Sequence, residues 1–367
     1  MNLYKLSITM LLTFSSFCLL AQEEEEVKMV VASNVEIDST AIKPEAQEAY
    51  NQGISAFESK NYRVAIEQFE KAISISPNFY EAYKNLANTY LANNNSEQAK
   101  NTFIHIAELD KNSGEPFYEI GLMAESQDSL ETAISFYTKA IERQSGEKKY
   151  YYQRGIQYFK LEKYDDAITD FSKVILIDPK AADAYNDRGS AYKLSGNIDK
   201  AISDYNTAAE VNKKSGLAYN NLGSLYREQK KYDLAIKSYD KAILIESDNY
   251  LAWNNRGYAK YEKGDYQDAI TDFKKVNQLK PEYAIGFNNL AGVYMAMEDY
   301  NKVVEYSTKA IKLDENYGAA FYNRAIAYEM LRKEIEACKD WSTAADLGVH
   351  VANQHYEKNG CKNLIEK

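Results

Sequence analysis

One spacing governs this chain. Alanine stands at Ala65, Ala99, Ala133, Ala167, Ala201, Ala235 and Ala269, Val303 and Ala337 continue the series, and the interval is 34 residues every time. Twelve residues before each member lies a small residue: Gly53, Ala87, Gly121, Gly155, Gly189, Gly223, Gly257, Ala291 and Ala325. Four residues after it the side chain is aromatic, from Phe69 through Tyr137 and Phe273 to Trp341, except at Ser307. A fixed period of this length means one supersecondary unit stacked many times. Within each unit, spacings of three, four and seven place these residues on single helical faces, which describes a pair of short amphipathic helices. A glycine inside a helix weakens it, so its recurrence calls for a packing reason: small residues let the paired helices approach, and aromatic rings fill the gaps. Pro77, Pro179 and Pro281 mark unit ends.

The unit Tyr219, Leu222, Gly223, Tyr226, Tyr232, Ala235, Tyr239 and Ala242 resembles the tetratricopeptide repeat, and nine such units fit residues 46–351. Repeats two and three depart from it, with Lys111 and Ser145 where proline falls. The resemblance implies an all-α, right-handed superhelical solenoid of nine helix-turn-helix units, with the first helices lining a concave face where ligands lie as extended peptides. Residues 352–367 read as a capping helix and tail that would cover the open end, as solenoid ends require. Cys338 sits on the second helix of repeat nine and Cys361 follows the capping helix; in an exported protein they can pair as a disulfide, and the other reading is two buried free thiols.

Residues 1–21 read as a secretory signal peptide: Lys5, then an apolar run from Leu6 to Leu20, ending at Ala21. The run is shorter than the roughly 20 apolar residues of a spanning helix, so a membrane role arises only if this segment stays uncleaved. Bulky Phe17 before Cys18 argues against a lipid-modified cysteine. Residues 22–45, with Glu23–Glu26, read as an acidic disordered spacer. The chain is expected to be exported and bacterial, in the periplasm or at the outer membrane.

Chemistry is scarce. A net charge of −10 argues against a nucleic-acid partner, and three histidines with three cysteines leave little for a metal site or a cofactor. His350 and His355 are five apart and do not share a helical face, and no phosphate loop or nucleophile elbow is present. The expectation is no enzyme, no cofactor and no metal.

Two polar sets remain. Arg154, Arg188, Arg256 and Arg324 stand just before the small residue in four repeats, and Asp170, Asp204, Asp272 and Asp340 follow each by sixteen. Partners that come and go together read as ion pairs bracing the two helices of a repeat. Repeats six and eight replace the pair by Leu222 with Ser238 and by Leu290 with Tyr306.

The second set is amide. Asn186, Asn220, Asn254 and Asn288 occupy the fifth position of four consecutive first helices, and Asn221, Asn255, Asn289 and Asn323 are among those at the sixth. A side-chain amide donates and accepts at once, which suits a peptide backbone. The row resembles the asparagine row that grips peptide backbone in the repeats of the O-linked GlcNAc transferase. Tyr258 and Tyr261 lie beside it. These amides either contact a ligand, or cap or bridge neighbouring helices, or are simply hydrated, and all these readings stand at this point. The functional expectation is a protein-interaction scaffold for an extended peptide or partner protein; the alternatives are a glycan or small-molecule binder and a structural subunit of an envelope assembly.

Overall fold

The computed structural model describes residues 42–365. The expected signal peptide, Cys18 and most of the acidic spacer lie outside these residues. Among them the chain is all-α: nine helical hairpins in sequence, from Pro44–Glu58 with Tyr62–Ile75 to Gly318–Met330 with Glu334–Asp346, then His350–Lys358 and Cys361–Ile365. The chain is therefore a solenoid of nine helix-turn-helix units with extra helices. It divides into two compact units at residues 201 and 202, inside the helix Ile198–Val211. Each is described by itself.

The small-to-aromatic pattern is a direct contact. A Cβ placed on Gly223 would come within 2.7 Å of the Tyr239 ring, and one on Gly53 within 2.6 Å of the Phe69 ring. Gly257 is of the same kind, with Phe273 and Asp272 at 3.0 and 3.2 Å from the same position. The rings so seated are fully buried, with Phe69, Tyr137 and Tyr239 at 0% exposure. Ser307, the exception, is equally buried; its hydroxyl has no partner, and Tyr306 instead stacks on Tyr294 at 5.4 Å.

The turn within each hairpin also repeats every 34 residues, without a sequence signal. Lys60, Asn94, Asp128, Glu162, Gly196, Lys230, Gly264, Glu298 and Arg332 all have φ between 55° and 98°. Only two are glycine. In each case the next residue's N–H reaches the carbonyl five residues back, as in Asn61 to Ala56 and Lys231 to Tyr226, which closes a Schellman-type turn. That bond holds L-residues in a region they otherwise avoid by roughly 1–2 kcal/mol.

The Arg–Asp pairs brace three helices rather than two. Arg154 Nε and Nη2 donate to both Asp170 oxygens at 2.8 Å, and Nη1 donates to Thr138 in the preceding repeat at 2.9 Å. Arg324 repeats this with Asp340 at 2.7 and 2.8 Å and Thr308 at 3.1 Å. Arg256 holds Asp272 in the same way, with Asp240 in place of the hydroxyl at 2.6 Å, and Lys260 adds a second cation on Asp272 at 2.9 Å. Arg188 makes the link back to Ser172 at 3.0 Å; Asp204 falls beyond the division between units. Burial holds the Asp170 and Asp340 carboxyls above their ordinary value, and the hydrogen-bonded guanidiniums only partly offset it. Such pairs fix geometry more than they add stability.

At the C-terminal end the expected capping helix is present, and the stretch expected as tail carries a second short helix. His350–Lys358 ends before Gly360, whose φ of +62° turns the chain into Cys361–Ile365 and brings Cys361 against Cys338, to which it is joined by a disulfide. Val349 and Ala352 are buried with Trp341, and His355 stacks on that indole at 4.5 Å. At the other end the first helix begins at Pro44, two residues inside the expected spacer, as proline at the first helical position favours.

The brace is testable at Arg324. Arg324→Met leaves Asp340, whose side chain is 8% exposed, without its partner and is expected to cost on the order of 3–5 kcal/mol. The double variant R324L/D340S, which copies repeat six, is expected to recover most of that loss. Equal thermal midpoints for the single and double variants would contradict the assignment.

Candidate functional site

The first helices of repeats six to nine, Leu217–Glu228, Tyr250–Lys263, Ala284–Ala296 and Gly318–Met330, carry the asparagines within one unit. Side chains in position five of one helix and position six of the next meet, because the two sites are one repeat plus one residue apart. Asn255 Nδ2 donates to Asn220 Oδ1 at 3.0 Å, Asn289 Nδ2 to Asn254 Oδ1 at 2.8 Å, and Asn323 Nδ2 to Asn288 Oδ1 at 2.9 Å. The amides thus bridge neighbouring repeats. Asn221 is half-buried on the same helical turn as Asn220.

The bridges fix each amide's orientation and leave one polar atom of most of them over. Asn220 and Asn254 keep an Nδ2 donor without a partner, and Asn255, Asn289 and Asn323 keep an Oδ1 acceptor. Both polar atoms of Asn288 are engaged, since its Nδ2 also donates to the Tyr317 hydroxyl at 3.3 Å. The result is a row of oriented donors and acceptors, held before any ligand arrives. Bridging and gripping are compatible here, because an amide has two donor and two acceptor sites.

The other unit uses the same bridge with other chemistry. Asn85 Nδ2 donates to the Tyr50 hydroxyl at 2.9 Å, and the Tyr152 hydroxyl donates to Asp187 at 2.7 Å. Asn186, buried, donates to Asp187 at 3.2 Å. Burial pushes the Asp187 carboxyl up to about 6, against the two hydrogen bonds that favour its charge.

Tyr258 and Tyr261 lie edge to face, ring centres 6.0 Å apart, packed on the cluster of Phe273, Leu290 and Val293. Burial holds both phenols above their ordinary value, so they remain neutral. With Asn288, Asn289, Asn323, Gly292 and Val293 they bound a recess of about 20 Å³. That is room for about one water molecule. The sequence reading does not single out Gly292. The available signal was its place in the repeat: Ile54, Leu122, Ile156, Ser224, Tyr258 and Ile326 stand at the same position elsewhere. Among the described residues no group of three or more His, Cys, Asp or Glu is placed to hold a metal, and no helix is long and apolar enough to cross a membrane.

Models of the tetratricopeptide repeat match residues 56–119, 155–196, 182–215, 216–249, 257–298 and 286–317, together more than half of the chain. A BBSome complex member BBS4 homolog from Drosophila melanogaster is 28% identical over 107 residues, 29% of this chain and 22% of that protein. The chain thus spans about a fifth of the curated relative's length. Among solved structures, the C-terminal part of a TPR repeat-containing protein from Cytophaga hutchinsonii is 21% identical with a TM-score of 0.54, covering 63% of this chain and 95% of that one. A tetratricopeptide repeat protein from Parabacteroides merdae is 18% identical with a TM-score of 0.53, covering 68% and 99%. At these identities the likeness is one of fold alone.

Two outcomes follow from the bridges. In a double-mutant cycle of Asn254→Ala and Asn289→Ala, the coupling energy should be about 0.5–1.5 kcal/mol, the net worth of one hydrogen bond; additive losses would remove the bridge. Asp187 has a raised folded-state pKa, so its contribution to stability is present below the ordinary carboxyl range and lost as pH rises through about 6. Asp187→Asn should therefore raise the thermal midpoint above pH 6 and leave it unchanged near pH 4. A difference independent of pH would contradict the assignment.

Proposed function

The chain belongs to the tetratricopeptide repeat family, and from that premise we propose that it is a non-enzymatic scaffold binding an extended peptide segment, or a partner's extended edge, on the first-helix face of residues 202–365. The observation that carries the reading is the pre-oriented row: Asn220 and Asn254 offer donors while Asn255, Asn289 and Asn323 offer acceptors. An extended backbone carries one donor and one acceptor per residue and matches such a row without a demand on its sequence. Side chains already locked by their bridges lose little freedom on binding, which favours affinity. The curated relative's membership of a multiprotein complex agrees with a scaffold role. A glycan or small-molecule site has less support, because the recess beside Tyr258 is about 20 Å³, far below the roughly 300 Å³ at which ligand pockets begin.

The protein works, in this reading, outside the cytoplasm, in the periplasm or at the outer membrane. The disulfide Cys338–Cys361 supports an oxidising compartment, as does the signal-like run before Gln22. Envelope-fractionated protein beginning at Met1 with both thiols alkylatable would sink that placement.

Binding is tested by panning the full chain against displayed short peptides and comparing N220D/N254D. Aspartate keeps the acceptor that the neighbouring asparagine needs but removes the outward donor. The variant is expected to keep its thermal midpoint and lose about tenfold or more in affinity. A glycan binder would respond to Tyr258→Ala and Tyr261→Ala instead, and a purely structural subunit to neither set.

A further inference from the structure

We propose that Gly292 opens a specificity notch that takes one methyl-sized apolar side chain, that of alanine, of the bound segment. The proposal rests on the peptide-binding reading above and adds a side-chain preference to it. Gly292 lies inside the helix Ala284–Ala296, where glycine weakens the helix relative to alanine. Elsewhere in this fold that weakness has a reason: the glycines at 53, 121, 155, 223 and 257 each have an aromatic ring within about 3 Å of where a Cβ would stand. Around Gly292 nothing lies within 4 Å of that point. The packing does not ask for a glycine here, and the equivalent positions in all eight other repeats carry a side chain.

What the missing side chain leaves is the recess already described. Tyr258, Tyr261, Phe273 and Val293 give it apolar walls, and the largely buried Asn288, Asn289 and Asn323 line it too. Asn289 and Asn323 keep an Oδ1 acceptor free of protein partners. Backbone N–H groups of a bound segment can pair with these acceptors while a side chain between them enters the notch. The lining carries no formal charge, so a charged side chain would lose hydration with nothing in return. The room of about 20 Å³ admits a methyl group and excludes branched and aromatic side chains.

The full chain, panned against displayed short unconstrained peptides, is expected to enrich sequences with one position restricted to alanine. Gly292→Ala should hold or raise the thermal midpoint while weakening the selected peptide. Gly292→Leu, which copies Leu122 at the equivalent site, should fold, lose the positional preference and bind that peptide about tenfold or more weakly. If Gly292→Leu keeps both preference and affinity, or the wild-type peptides show no restricted apolar position, the notch is wrong and the peptide reading stands. If the wild-type chain enriches nothing, both fall.

Discussion

The contact on which this structure depends is an aromatic ring laid against a small residue of the paired helix, most often one with no Cβ. Gly223 beneath Tyr239 and Gly53 beneath Phe69 set how closely the two helices of a hairpin approach. That approach sets how the next hairpin stacks. Because the contact recurs at a fixed interval, each repeat inherits the same geometry, and residues one period plus one apart meet again and again. The asparagine bridges, the Tyr50–Asn85 bond and the Tyr152–Asp187 bond all occupy that one geometric slot. Function enters as a change of side chain at a slot the packing has already placed.

The fold was legible because it was written nine times. A small residue, an alanine and an aromatic at constant offsets leave little freedom once each is given a helical face. The Arg–Asp pairs were legible for the same reason, since repeats within one chain serve as comparisons for one another. Their third link was not, because Thr138, Thr308 and Asp240 are ordinary helix residues until the following repeat brings its arginine. The turns were hidden more deeply: Lys60 or Glu298 carries no propensity for a left-handed backbone, and only the hydrogen bond around it imposes one. At the C-terminus the capping helix was legible, but the five residues Cys361–Ile365 are too few to show a helical period.

The asparagine row shows where sequence reasoning divides. Spacing placed the amides on one face, yet spacing alone could not say whether they face each other or a ligand. The structure has them do the first while leaving atoms for the second. Amides, with matched donors and acceptors, hold the scaffold together and remain polar toward solvent. Gly292 was overlooked for the opposite reason: a glycine in a glycine-bearing repeat looks like part of the pattern unless its offset is checked.

The left-handed turns carry a consequence of another kind. Seven of nine are occupied by L-residues that pay a conformational cost a glycine would avoid, one site in almost every repeat. The cost is spread evenly, is exposed at the surface and touches neither the core nor the amide row. The chain therefore holds a reserve that evolution can draw on locally: a repeat weakened by a change on its binding face can regain ground at its own turn. In a stacked array, where stability sums over neighbours, such separable adjustment lets the binding face drift without the architecture following it.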